Sequence, residues 1–402
     1  MTPTDYGEDA LVEQPAIALF AELGWDTYHG LHEFDSGPSP LGRETRAEVV
    51  LTQRLRPALE RLNPDLPPAA LDVAIETLTR DRGAMSLARA NAEVYAMLRD
   101  GVRVTFTDPE TGEQRVEAVR VIAWEDPDAN DYLLVSQFWV TGEFYTRRAD
   151  LVGFVNGLPL LFLELKASHR QLKDAFDDNL TDYKDTIPHL FWYNAFILLS
   201  NGSATKMGSI TALWGHFFEW KKIADEEEPG VVSLETAVRG TCRPDRFLDL
   251  VENFSVFRED KGGLIKLVAM NHQYLGVNNA IRALHDIESR QGRLGVFWHT
   301  QGSGKCVSML FFSRKVLRKV PGAWTFVVVT DRQDLDDQIY KTFARCGAVT
   351  EKDAQATSSA HLRRLLGEDH RYVFTLIHKF RTEPGTRHPV LSTRSDIIVM
   401  TD

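Results

Sequence analysis

The stretch ADLVGFVNGLPLLFLELK, residues 149–166, leaves this chain few ways to fold. Two strand-like apolar runs flank Asn156-Gly157, and Asn-Gly is the strongest short-range signal for a tight hairpin. Asp150 opens the first run, and Glu164-Leu165-Lys166 close the second. The run LPLLFLEL reads as a buried strand, where a terminal carboxylate is costly unless it has a role.

Side chains two apart on a strand share a face, so Glu164 and Lys166 point the same way. Two carboxylates and a lysine at one strand end suit metal-dependent phosphodiester hydrolysis. Asp150, Glu164 and the Leu165 carbonyl would hold Mg²⁺. Lys166 would position or deprotonate the attacking water and stabilise developing charge. Register tests the idea. A plain two-residue loop pairs Val155 with Leu158 and leaves Asp150 and Glu164 on opposite faces. The site therefore requires a three-residue loop or a glycine bulge at this turn. The competing reading of Glu-x-Lys is an ordinary charged strand end. Glu13, on the first helix, could add a carboxylate, but it reads as part of a solvated helix face.

A second motif runs from His299 through Thr300, Gln301, Gly302, Ser303 and Gly304 to Lys305 and Cys306. It follows the apolar run GVFWHT (295–300), expected to be a strand, and opens a helical pattern at Val307, Met309, Leu310 and Phe311. Glycines there let backbone N–H groups cradle phosphates, and Lys305 reaches the outer ones. His299 stands where the general pattern has glycine. Cys306 stands where a Ser or Thr hydroxyl normally meets Mg²⁺, and a thiol is a poor ligand for that hard ion.

Around these motifs the pattern predicts helices over 8–24, 43–62 and 68–80, then strands at 102–106, 116–124 and 132–141. A helix follows from Lys166 to Tyr183, a buried strand within 191–202 and a surface loop over 221–232. Beyond a composition shift near 255–265, strands at 295–300, 324–330, 372–377 and 396–401 alternate with helices, which predicts a covered parallel sheet. The expected fold class is α/β: a mixed-sheet domain over 1–258, then a parallel-sheet lobe over 259–402. The charge of −11, from 46 basic and 57 acidic residues, argues against a chain coated by nucleic acid but leaves room for a narrow basic groove. Three scattered cysteines fit no zinc spacing and point to a reducing, cytoplasmic setting. No apolar run is long enough to cross a bilayer, so no membrane partner is expected.

Together these stretches resemble the restriction (R) subunit of type I restriction–modification enzymes, in which a PD-(D/E)xK-like nuclease precedes a RecA-like translocase motor. The resemblance rests on 149–166, AFDDNLTDYKDTIPHLFWYNAFILLSNG (175–202), NHQYLGVNNAI (271–281), VFWHTQGSGK (296–305), TDRQDLDDQ (330–338) and IHKF (377–380). It implies that Asp150, Glu164 and Lys166 form the nuclease centre. Tyr183 matches the tyrosine of the family's Gln-x-x-x-Tyr element, with Asn179 in place of its glutamine. Gln273 matches the glutamine that reads adenine. Thr300, Gly302, Ser303, Gly304, Lys305 and Cys306 match the ATP-binding loop, for which histidine at 299 is usual. Asp331, Arg332, Asp334 and Gln338 match a motor segment after the second strand.

The resemblance also implies Mg²⁺ and ATP as cofactors. It implies double-stranded DNA and the modification (M) and specificity (S) subunits as partners. Asp402 matches the metal-binding first residue of an Asp-Glu-x-His box. The chain stops there, so steady ATP turnover by it alone is not expected. Two readings follow: a nuclease with the first part of a motor, or a remnant that binds nucleotide, DNA or the partner subunits without turnover.

Overall fold

The computed structural model describes residues 12–402 apart from 36, 109–110, 301, 351–353, 383–384, 386 and 388. Two compact units emerge: residues 1–255 with 264–271, and residues 256–263 with 272–402. Thirteen strands are present among the described residues: β1 (Asp26–His29), β2 (Val102–Thr107), β3 (Gln114–Val119), β4 (Tyr132–Thr141), β5 (Thr146–Val155), β6 (Leu158–Leu165), β7 (Phe196–Ser200), β8 (Thr205–Gly208), β9 (Ser255–Asp260), β10 (Gly263–Val268), β11 (Thr325–Thr330), β12 (Tyr372–Leu376) and β13 (Ile397–Thr401).

The first unit is built on a mixed six-stranded sheet in the order β1-β4-β5-β6-β7-β8. β1 runs parallel to β4 and β6 to β7, and the remaining neighbours are antiparallel. Every residue of β6 and β7 is buried, as their apolar composition requires. Phe162 of β6 packs its ring against Phe191 at 5.0 Å and Tyr183 at 6.0 Å, and burying one such ring contributes roughly 1.5–3 kcal/mol. The helix Gln14–Glu22 brings Phe20 edge-on to Trp25, whose indole N–H donates to the Cys242 carbonyl at 2.9 Å. The first part of the expected 8–24 helix lies outside the described residues.

Several expected bounds move for identifiable reasons. The helix expected over 43–62 begins at Thr52. Before it, the Leu51 N–H donates to the Gly157 carbonyl and Arg43 is buried in an ion pair with Glu33. The strand expected over 116–124 stops at Val119, and Asn130 bonds both backbone groups of Ala123. Past Lys166 the helix waits until Leu172 and passes through a π-helical turn, Ala175–Leu180, before Thr181–Thr186. A helix over Leu87–Asp100 was not expected.

The hairpin turns on two residues, with φ of +50° at Asn156 and +78° at Gly157, the left-handed pair that a tight hairpin favours. It is buried. Asn156 Nδ2 donates to the Val121 carbonyl and to Asn130 Oδ1, and a Cβ on Gly157 would lie 2.4 Å from the Leu51 carbonyl oxygen. The expected change of register comes not at the turn but beyond it. Phe154 pairs with Pro159 while Gly153 pairs with Leu161, so Leu160 is an extra residue on β6. Proline has no N–H for a ladder and is at home beside such a bulge.

The second unit holds a parallel sheet in the order β12-β11-β13. Val327, Val329, Val373, Leu362 and Leu365 form its core on one face. The strand expected over 295–300 is absent: these residues are irregular and largely uncovered, with Val296 89% and Trp298 93% exposed. An apolar run becomes a strand only when a neighbour takes its backbone groups. In the described residues nothing pairs with β13 on the side away from β11. No described helix is long and apolar enough to cross a membrane.

Candidate functional site

The extra residue Leu160 decides the geometry of the hairpin's far end. Beyond it the register runs from Gly153↔Leu161 to Leu151↔Leu163, and the next step sets Asp150 opposite Glu164 on one face. The Asp150 carboxylate accepts the Leu165 N–H at 2.8 Å. Glu164 is only 1% exposed, and Lys166 Nζ lies 3.3 Å from its Oε1. A buried carboxylate is tolerated when a cation sits beside it. Asp150 and Glu164 therefore share a face through the surplus Leu160, not through the three-residue loop or glycine bulge expected at the turn. There Val155 pairs with Leu158 across the plain two-residue loop expected to separate them.

Tyr183 and Asn179 lie on the helical segment beside this face. The Tyr183 hydroxyl donates to the Arg148 carbonyl at 3.0 Å. Burial first, then the nearby Glu164 carboxylate, pushes the phenol well above its ordinary range, while a hydrogen bond with the Asn179 side chain pulls it back. Tyr183 is thus neutral at any physiological pH. Asn179 meets the tyrosine one helical turn on, despite being shorter than glutamine.

One residue at the site was placed wrongly from the sequence and another went unread. Glu13 is not on a solvated face: it is 4% exposed and accepts a hydrogen bond from Gln137 Nε2 at 2.6 Å. Gln137 stands across from Asp150, between the pairs Ser136↔Leu151 and Phe138↔Ala149, and has φ of +55°. A left-handed, non-glycine residue inside a strand is strained, and such strain gathers at functional sites. The available signal was a lone amide in the apolar run YLLVSQFWVT, at the position that faces Asp150. Among the described residues, no group of three or more His, Cys, Asp or Glu side chains is disposed to hold a metal. A cation here would rest on the Asp150 and Glu164 oxygens and a backbone carbonyl, a hard-oxygen set that suits Mg²⁺.

In the second unit, Gly302 (φ +81°) and Gly304 (φ +83°) take left-handed conformations, and Gly304 caps the helix Lys305–Lys319. Gln301 lies outside the described residues. His272 Nε2 is 3.1 Å from the Ser303 carbonyl, and Gln273 Nε2 donates to the Gly304 carbonyl at 3.1 Å. A Cβ on Gly304 would meet that Gln273 nitrogen at 2.8 Å. The loop's carbonyls are thus held toward the helix Asn271–His285, leaving the helix N-terminus as the anion-attracting end. Thr300 accepts the Ser303 N–H through its carbonyl. Asp402, at the end of β13, lies 3.5 Å from Lys305 Nζ. Burial, then the Asp402 carboxylate, pushes the Cys306 thiol up, so it stays protonated. The strand expected before the loop is missing, so the motif has its loop and helix but not its strand. Asp331 and Arg332 form an exposed pair after β11, and Asp334 and Gln338 lie on the helix Gln333–Arg345.

A mixed sheet with paired carboxylates and a glycine-rich loop capping a helix define a two-part α/β chain. Residues 5–215 match the family model of the type I restriction enzyme R protein N terminus, and residues 272–402 match that of the SWI2/SNF2 ATPases. The chain belongs to the type I restriction enzyme R protein family. It is 36% identical to the type I restriction enzyme HindI endonuclease subunit of Haemophilus influenzae, over 97% of this chain and 38% of that protein. It is 30% identical to a Methanocaldococcus jannaschii protein named "Putative type I restriction enzyme MjaIXP endonuclease subunit", over 98% of this chain and 39% of that one. The chain thus spans under two-fifths of the length of these relatives.

Proposed function

We propose that this chain carries the Mg²⁺-dependent nuclease centre and the ATP-binding segment of a type I restriction endonuclease subunit. In this reading a PD-(D/E)xK-like domain spans 1–258 and a RecA-like lobe 259–402. The observation that carries it is the shared face of Asp150 and Glu164, with Lys166 Nζ 3.3 Å from Glu164. Bound Mg²⁺ would lower the pKa of a water and stabilise charge on the phosphoryl oxygens. The Leu165 N–H orients the Asp150 carboxylate. Lys166 compensates Glu164 and presents its ammonium to the attacking water. Tyr183 does not titrate. It fixes the backbone of β5 at Arg148, two residues from Asp150.

Double-stranded DNA is the substrate proposed, with M and S subunits as partners; the relatives are named only as endonuclease subunits of type I restriction enzymes, and the resemblance supplies the rest. Mg²⁺-dependent nicking of plasmid DNA by the chain, lost in Asp150→Asn and Glu164→Gln, supports this reading. Mn²⁺ titration followed by electron paramagnetic resonance reads the same site without turnover. Equal Mn²⁺ affinity in wild type and both variants removes the proposed centre.

One observation favours a second reading for the ATP segment. The neutral thiol of Cys306 stands where a hard ligand is expected, beside Asp402. Thr300, Gly302, Ser303, Gly304 and Lys305 would then bind nucleotide phosphates without supporting turnover.

A further inference from the structure

We infer that Arg46, Trp139 and Arg148 form a seat for the phosphate backbone of a DNA strand beside the Asp150–Glu164 pair. The inference rests on the nuclease reading above. The Arg46 guanidinium lies 5.1 Å from the Trp139 ring and 5.5 Å from that of Phe34, and the Arg148 guanidinium lies 5.5 Å from Trp139. All are within cation–π reach. Trp139 is the ladder partner of Arg148. Arg148 and Asp150 are two apart on β5 and share its more open face, while Ala149 and Leu151 are buried on the other. Two residues advance a strand by about 6.8 Å. That matches roughly two nucleotide rises of a DNA strand.

Charge separates these arginines from their neighbours. Arg43 is buried against Glu33, and Arg147 is paired with Asp182. Among the described residues, Arg46 and Arg148 have no carboxylate partner. In a chain of net charge −11, two uncompensated guanidiniums next to a carboxylate pair are a local exception. Their backbones are fixed: the Thr141 N–H donates to the Arg46 carbonyl, and the Tyr183 hydroxyl to that of Arg148. The Trp139 indole N–H donates to the Leu31 carbonyl. Past them, the β4–β5 turn carries Phe144, 80% exposed, and the exposed Tyr145. Arginines to phosphates and aromatic rings to bases are the pairing that single strands and groove walls receive.

The test is fluorescence anisotropy of a labelled duplex of about 20 base pairs, titrated with the full chain in EDTA across a range of salt. EDTA prevents cleavage, so failure here is distinct from failure of the nuclease centre. Arg46→Ala with Arg148→Ala is expected to weaken binding by about tenfold or more and to lower the salt slope by about two. Arg148→Lys keeps the slope and loses part of the affinity. Arg115→Ala, on β3, leaves both unchanged. Unaltered affinity and slope in the double variant, with only a lower unfolding temperature, would overturn the proposal and leave the stack as structural cement. Absence of salt-dependent binding by the wild-type chain would overturn it as well.

Discussion

The Asp150 carboxylate accepts the backbone N–H of Leu165 at 2.8 Å, joining β5 to β6 where their charged residues gather. One carboxylate oxygen is thereby aimed by the backbone before any ligand arrives. Asp150→Asn keeps the size and an acceptor but removes the charge. We expect Mg²⁺-dependent cleavage to fall by about 10²–10³. Asn should unfold within a few degrees of wild type, checked by circular dichroism. Equal cleavage in Asn and wild type would exclude Asp150 from the chemistry.

The register shift depends on close packing at Gly153. A Cβ there would lie 3.0 Å from both the Leu161 Cβ and the Trp25 ring, contacts between buried groups that have little room to yield. Gly153→Ala should destabilise the first unit by roughly 1–3 kcal/mol, as overpacked cores do. Urea unfolding followed by tryptophan fluorescence measures it.

Lys266 is a buried cation held by amide oxygens. Its Nζ donates to Asn91 Oδ1 at 3.0 Å and to the Asn194 carbonyl at 2.6 Å, and burial pulls its pKa down to about 7. Unfolded, a lysine titrates near 10.4. Between these values the unfolded chain binds more protons, so stability rises with pH across this window and levels off below about 7. Buried Cys242, pushed up to about 12, acts in the opposite sense only above its ordinary value of 9.0. From pH 7 to 9, Lys266 should add on the order of 2–3 kcal/mol. Urea midpoints across that range should climb in wild type and climb less in Lys266→Met. An identical slope in both would show that Lys266 is not the group responsible.

Gln273 offers two separable roles. It holds the Gly304 carbonyl, and we propose, as the family resemblance implies, that it also reads adenine. If it only supports the loop, Gln273→Ala weakens ATP and GTP binding alike. If it also reads the base, the preference for ATP over GTP collapses by about tenfold, the worth of one hydrogen bond of ~1.4 kcal/mol. Competition against a fluorescent nucleotide distinguishes the outcomes.

Cys306→Ser replaces a protonated thiol with a hydroxyl oxygen next to Asp402. Nucleotide affinity without metal should change by less than about threefold, while Mg²⁺ should strengthen binding in the variant more than in wild type. Calorimetry with and without Mg²⁺ decides it. A wild-type chain with an equal response to Mg²⁺ would show that the thiol does not impair the metal site.

Much of this was legible in the sequence because it depends on local pattern. β4 was read to the residue from YLLVSQFWVT, and β5, β6, β11, β12 and β13 to within a few positions. What could not be read depends on partners distant in sequence. Leu160 is one apolar residue in a run of them, and only its neighbours reveal that it is surplus. Glu13 looked solvated until Gln137, far along the chain, covered it. The 295–300 run had the composition of a strand without a partner to make it one. Neither composition nor net charge foretold that Arg148, two residues from Asp150 on β5, and Arg46, over the Trp139 ring, would lack a carboxylate partner among the described residues.

The surplus residue on β6 also constrains how this hairpin can diverge. Because side chains alternate, inserting or deleting one residue between Asp150 and Glu164 turns one carboxylate away from the other. Two residues at a time leave the pair intact, as does one residue if the bulge disappears with it. Aligned hairpins from other members of the family should therefore differ in length between their two carboxylates by even steps, and an odd step should mark a member whose bulge has been lost or moved.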